Sequence, residues 1–133
     1  MGYLVKLFFA TLAVFLVIDM IWLGLVARKF YRKHLGFLMS PSPKWIAAII
    51  FYLLFIVGLL VFVVVPGLES GSLGITLVRA ALFGLVTYGT YDLTNQATVK
   101  NWPTLITVVD LVWGTTLSVI VSLLSFLIGG WMA

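Results

Sequence analysis

The stretch WIAAIIFYLLFIVGLLVFVVV, Trp45 to Val65, holds 21 residues without a charge. About 20 apolar residues are what a helix needs to cross the hydrocarbon core of a bilayer, so this segment reads as a transmembrane helix. Ser42-Pro43 supply a cap and a first turn, and Pro66-Gly67 supply a stop.

Three more spans follow on either side. Leu4 to Val26 is interrupted only by Lys6 and Asp19. Its apolar run is too long for a signal peptide, carries an aspartate and lacks a small-x-small cleavage site, so it is expected to be a retained helix. A third helix begins after Ser70-Gly71-Ser72, lets Arg79 snorkel to the interface, and runs through Tyr88 and Asp92 toward Asn95 or Thr98. A fourth starts at Trp102-Pro103 and passes Asp110 to about Ile128, before Gly129-Gly130-Trp131.

The composition agrees. Of 133 residues, 63% are hydrophobic and 9% charged, with a mean hydropathy of +1.23, which excludes a soluble domain. The fold expected is all-α: a four-helix transmembrane bundle forming one domain over residues 1–133, with a short interfacial helix between the first two spans. That helix is read from Ala27, Phe30, Tyr31, His34, Leu35 and Leu38, which recur at helical spacing, while Arg28, Lys29, Arg32 and Lys33 share the other face. Its plain reading is topology and general attraction to an anionic surface. A more specific one is recognition of anionic lipid headgroups.

The first loop carries Arg28, Lys29, Arg32, Lys33 and Lys44, the third carries Lys100, and neither holds an acid. By the positive-inside rule both loops are cytoplasmic and both termini outside. The net charge of +4 is thereby assigned to topology, and no nucleic-acid partner is expected. With no cysteine, a single His34 and no lysine in the middle of a span, haem, iron–sulfur, zinc and retinal-type chemistry lack their ligands. No cofactor and no metal site is expected.

Against this background the acids are conspicuous. Three of the four, Asp19, Asp92 and Asp110, lie inside spans, where a carboxylate costs about 2.5–3.5 kcal/mol on insertion scales. Asp19 precedes Ala27 by eight residues and Asp110 follows Pro103 by seven, which sets both roughly 10 to 12 Å from the same face of the bilayer. Asp92 lies roughly 5 to 9 Å in. Three carboxyl groups at nearly one level are expected to face a shared polar interior. Asp19-Met20-Ile21-Trp22 and Asp110-Leu111-Val112-Trp113 repeat Asp-x-x-Trp, and Asp92-Leu93-Thr94-Asn95 varies it with an amide. The i, i+3 spacing places each donor on the face of its acid. The candidate ligand-binding residues are therefore Asp19, Asp92, Asp110, Tyr88, Asn95, Trp22 and Trp113. The same polar groups around Asp92, with Gly84 and Gly89, serve equally as glue between helices.

The segments Leu16 to Gly24, Arg28-Lys29-Phe30-Tyr31, Tyr91 to Asn95 and Asp110 to Thr115 together resemble the small bacterial membrane proteins grouped as domain of unknown function 2177. The resemblance covers essentially the whole chain. It implies a four-span protein of the bacterial inner membrane, and it supplies no activity and no catalytic residue.

Three functional readings follow from the aspartates. In the first, they bind a cation, an amine headgroup or a proton inside an aromatic cavity open to the cytoplasm. Carboxyl groups brought together there make proton coupling available. If this protein also transports, four spans call for a homodimer or larger assembly. In the second, it is an enzyme acting on a lipid-phase substrate, with Asp92 as base and oxygen ligands, Asn95 included, for a hard cation such as magnesium. In the third, it is a structural subunit whose buried aspartates are only hydrogen-bonded. That reading explains poorly why Ser, Thr or Asn, less costly to desolvate, were not used.

Overall fold

Hydrophobic length alone makes four helices here, and the bilayer explains how far each one runs. The computed structural model describes residues 2–133. They form α1 (Gly2–Leu35), α2 (Trp45–Ser70), α3 (Leu73–Thr98) and α4 (Thr104–Met132), each long and apolar enough to span a membrane. Large side chains such as Ile46, Leu54, Phe62, Val78 and Leu82 are exposed on the outside of the bundle. Those are the faces that hydrocarbon covers.

Helix ends depart from expectation wherever proline or glycine was read as a stop. Pro66-Gly67 does not end α2, which continues to Ser70 and closes at Gly71 in the left-handed conformation (φ 71°). The reason lies one turn earlier. Leu60–Val64 forms a π-helical turn, with the Val65 N–H bonded to the Leu60 carbonyl. A widened turn accommodates a proline that would otherwise clash with the preceding turn. Gly129-Gly130 likewise lie inside α4, because in hydrocarbon a helix that stops leaves carbonyls without partners.

At the start of α2, Ser42 and Pro43 remain in the loop. Lys44 is the residue before the first turn and makes no side-chain cap. Ser72 does cap α3, accepting from the Ile75 N–H at 3.3 Å.

α1 runs on past Val26, the end of the first span, as expected of a first-loop helix that continues from it. It passes through a π-helical turn at Leu23–Ala27 and continues as Arg28–Leu35 without a break. The wide turn offsets the register of this last segment relative to the rest of α1, which matters for where Tyr31 points.

Packing is closest between α3 and α4. A Cβ on Gly84 would overlap the Gly114 carbonyl and lie 2.6 Å from Ser118 Oγ, and one on Gly114 would overlap the Tyr88 ring. Only glycine allows the two backbones this approach. Along α4 the buried residues Asp110, Gly114, Ser118, Ser122, Ser125 and Gly129 fall on one inward stripe. α1 packs against that stripe through Thr11 Oγ1 and Ser125 Oγ at 2.6 Å, and through the Tyr3 hydroxyl, which donates to the Gly129 carbonyl at 2.8 Å. Leu7, Phe15, Ile56, Leu59, Val63, Leu117 and Val121 fill the space between the helices.

Gly114→Ala is expected to lower the melting temperature in detergent, since overpacking costs about 1–3 kcal/mol. Gly24→Ala, where an added Cβ meets nothing within 4 Å, should melt at or slightly above the wild-type temperature. Equal melting of the two variants would show that the α3–α4 contact is looser than described.

Candidate functional site

All three intramembrane aspartates are withdrawn from the outer surface of the bundle: Asp19 is 6%, Asp92 0% and Asp110 7% exposed. α1 and α3 run toward the end of the bundle formed by the first and third loops, and α4 runs away from it. Asp19 late in α1, Asp92 late in α3 and Asp110 early in α4 therefore meet at that end.

A cavity of 560 Å³ opens there, a volume typical of small-molecule sites. α1 contributes Asp19, Trp22, Leu23 and Tyr31, and α2 contributes Ala48, Phe51 and Tyr52. α3 contributes Thr87, Tyr88 and Tyr91, and α4 contributes Asp110 and Trp113. Its wall carries two carboxyl groups and six Tyr or Trp rings but no Lys, Arg or His.

The repeated Asp-x-x-Trp motif acquires a geometric meaning because α1 and α4 are antiparallel. The two indoles stack across the interface, with ring centroids 4.3 Å apart and planes 8° from parallel. The two rings thereby face across the α1–α4 interface. The Trp113 indole lies within reach of the Asp19 carboxyl group, and the Trp22 indole within reach of the Tyr31 hydroxyl. One copy of the motif thus serves the aspartate of the other, while Asp110 is served by Tyr31 instead of Trp22.

Tyr31 was not among the residues the sequence nominated. Its position on the apolar stripe of Arg28–Leu35 assigned it to a membrane interface, yet its hydroxyl donates to Asp110 Oδ1. The π-helical turn at Leu23–Ala27 lies between Trp22 and Tyr31 and rotates the later segment over the cavity. Tyr52 was also overlooked. A signal for it existed, since it carries the one hydroxyl between Trp45 and Val65.

Asp92 occupies a different place from the other two acids. It is absent from the cavity wall and lies behind it, and neither carboxyl oxygen accepts a hydrogen bond from an N–H or hydroxyl group. The Asp110 carboxyl is the group it meets. Since an ionised carboxylate can only accept, that contact becomes a hydrogen bond when a proton lies between the two.

Tyr88 lines the cavity with its ring seated against Gly114. Asn95 is half-buried and does not line it. Near Asn95 the structure is held instead by Trp102, whose Nε1–H donates to Thr107 Oγ1 at 3.0 Å and whose ring meets Tyr91 edge-on. Among the described residues no group of three or more His, Cys, Asp or Glu side chains is gathered closely enough to hold a metal ion. The carboxylates with Asn95 therefore do not form the magnesium site considered from the sequence.

The family model described as predicted membrane protein (DUF2177) matches residues 4–127 of the chain. No curated protein matches it, and no solved structure does.

Replacing Asp92 by Asn gives Asp110 an amide donor and removes a buried carboxyl group that no N–H or hydroxyl serves. Asp92→Asn is therefore expected to melt at or above the wild-type temperature in one detergent. Tyr31→Phe removes the hydroxyl donor of Asp110 and should melt lower, by an amount equivalent to about 1.5–3 kcal/mol for a bond to a charged group. A clear drop in Asp92→Asn would mean that its carboxyl group is satisfied in a way the structure does not contain.

Proposed function

We propose that this chain, which belongs to the predicted membrane protein family DUF2177, binds a small organic cation, an amine or quaternary ammonium group carrying an apolar body, in the cavity between its four helices. The observation that carries this reading is the composition of the cavity wall: Asp19 and Asp110 among Trp22, Tyr31, Tyr52, Tyr88, Tyr91 and Trp113, with no basic side chain. Carboxyl groups held at membrane depth require a partner. Where the protein supplies no cation, the ligand supplies it. Aromatic faces attract cations through their quadrupole and accept an apolar body at the same time, which favours an organic cation over a bare metal ion.

The cavity lies at the end of the bundle bearing Arg28, Lys29, Arg32, Lys33, Lys44 and Lys100. Basic loops are retained on the cytoplasmic side, so the cavity opens inward from a bacterial inner membrane with both termini outside. Arg28–Leu35 then lies at the cytoplasmic surface, with its basic residues toward the headgroups. Transport rather than binding alone would call for a second copy of the chain, because four spans are few for a carrier.

Tetraphenylphosphonium and ethidium, both permanently charged and aromatic, are suitable probes for the purified full chain in detergent. Saturable binding is expected with at least one of them, weakened about tenfold or more, equivalent to about 1.4 kcal/mol, in Asp110→Asn. Binding that fails to saturate, or is equally strong in the variant, would remove the cation reading. Sidedness has its own test, since the chain contains no cysteine. A membrane-impermeant maleimide should label Ser70→Cys in intact cells and Ser42→Cys only after permeabilisation, and the reverse pattern would invert the topology.

A further inference from the structure

We infer that a cation arriving at Asp110 displaces a proton held between Asp92 and Asp110, so that occupancy of the cavity and proton release are coupled one to one. The inference rests on the cavity being a cation site and adds what that site exchanges. Asp92 is wholly buried and both its oxygens lack an N–H or hydroxyl donor, while its carboxyl group meets that of Asp110. Asp110 is the link between that hidden acid and the cavity, where Tyr31 donates to Oδ1.

Every titratable group lining the cavity beside Asp110 is an acid or a phenol. α1 presents Asp19 and Tyr31, α2 presents Tyr52, and α3 presents Tyr88 and Tyr91. None is a base that could neutralise a second negative charge. With the cavity empty, these two neighbouring carboxyl groups are inferred to share one proton, because an ionised carboxylate can only accept and two of them side by side repel in a medium of low dielectric.

The exchange conserves charge. The proton between the two carboxyl groups leaves to bulk water through the open cavity, both carboxylates are then ionised, and the bound cation replaces the charge of the proton. Pair plus occupant carries one negative charge before and after, so the exchange adds no net charge to the bundle. Tyr31 remains a donor to Asp110 throughout. By linkage, a ligand whose binding releases a proton binds more tightly as pH rises.

Tetraphenylphosphonium has no proton of its own, so any proton released on its binding comes from the protein. Titration calorimetry on the full chain near neutral pH, in two buffers of different ionisation enthalpy, should report about one proton released per cation bound. The affinity should increase by up to about tenfold per pH unit. In Asp92→Asn the release is expected to fall to near zero and the pH dependence to flatten, while Asp92→Glu restores both. An infrared band of a protonated carboxyl group should disappear when the cation is added to wild type, a readout independent of any variant. Binding by wild type with no proton release and no loss of this band overturns the exchange and leaves the cation site standing. Equal release in Asp92→Asn also overturns it, by moving the proton to another acid such as Asp19. If neither tetraphenylphosphonium nor ethidium binds wild type, the exchange is overturned together with the cation site as its premise; if only ethidium, which also has no proton to release on binding, binds, the same titrations are read with it.

Discussion

Asp110 bears on both halves of the problem this membrane bundle has to solve, because it stands between an acid sealed in the interior and a cavity that can admit a ligand. A carboxyl group in hydrocarbon is tolerated only with a partner. Asp110 has Tyr31 on one side and Asp92 on the other. The architecture at this end of the bundle follows from keeping these groups together and away from lipid.

Two backbone features make that arrangement reachable. The close approach of α3 and α4 at Gly84 and Gly114 brings Asp92 against Asp110 and seats the Tyr88 ring. The π-helical turn at Leu23–Ala27 aims Tyr31 at Asp110 from a segment that otherwise looks like a surface helix. Small residues and widened turns are costly in isolation, but in a bilayer neighbouring helices complete the packing and no backbone group is left facing lipid. The opposite end of the bundle carries no such cluster of acids. There Thr11, Ser125, Tyr3 and Gly129 tie α1 to α4 by short neutral hydrogen bonds.

The membrane class, the four spans and the shared depth of the aspartates could be read from residue order, since hydropathy and rise per residue are properties of a single helix. Helix ends were less legible. Pro66 and Gly129-Gly130 are strong stop signals in water, and they lose that force where leaving the helix would strand carbonyls in hydrocarbon. Asn95, nominated by its spacing from Asp92, does not line the cavity, because i, i+3 spacing sets a common helical face and leaves open what that face meets.

What the sequence determined by itself is how many times the chain crosses the membrane, which residues are too polar for lipid, and at what depth they lie. Each of these follows from composition and period along one helix. Only the tertiary structure decided that Trp22 stacks on Trp113, that Tyr31 reaches Asp110, and that Asp92 lies behind the cavity wall. Those pairings depend on how far each helix is rotated and how closely two backbones approach. Glycines and widened turns set both quantities through contacts between segments remote from one another in the chain, and no local pattern encodes such distances.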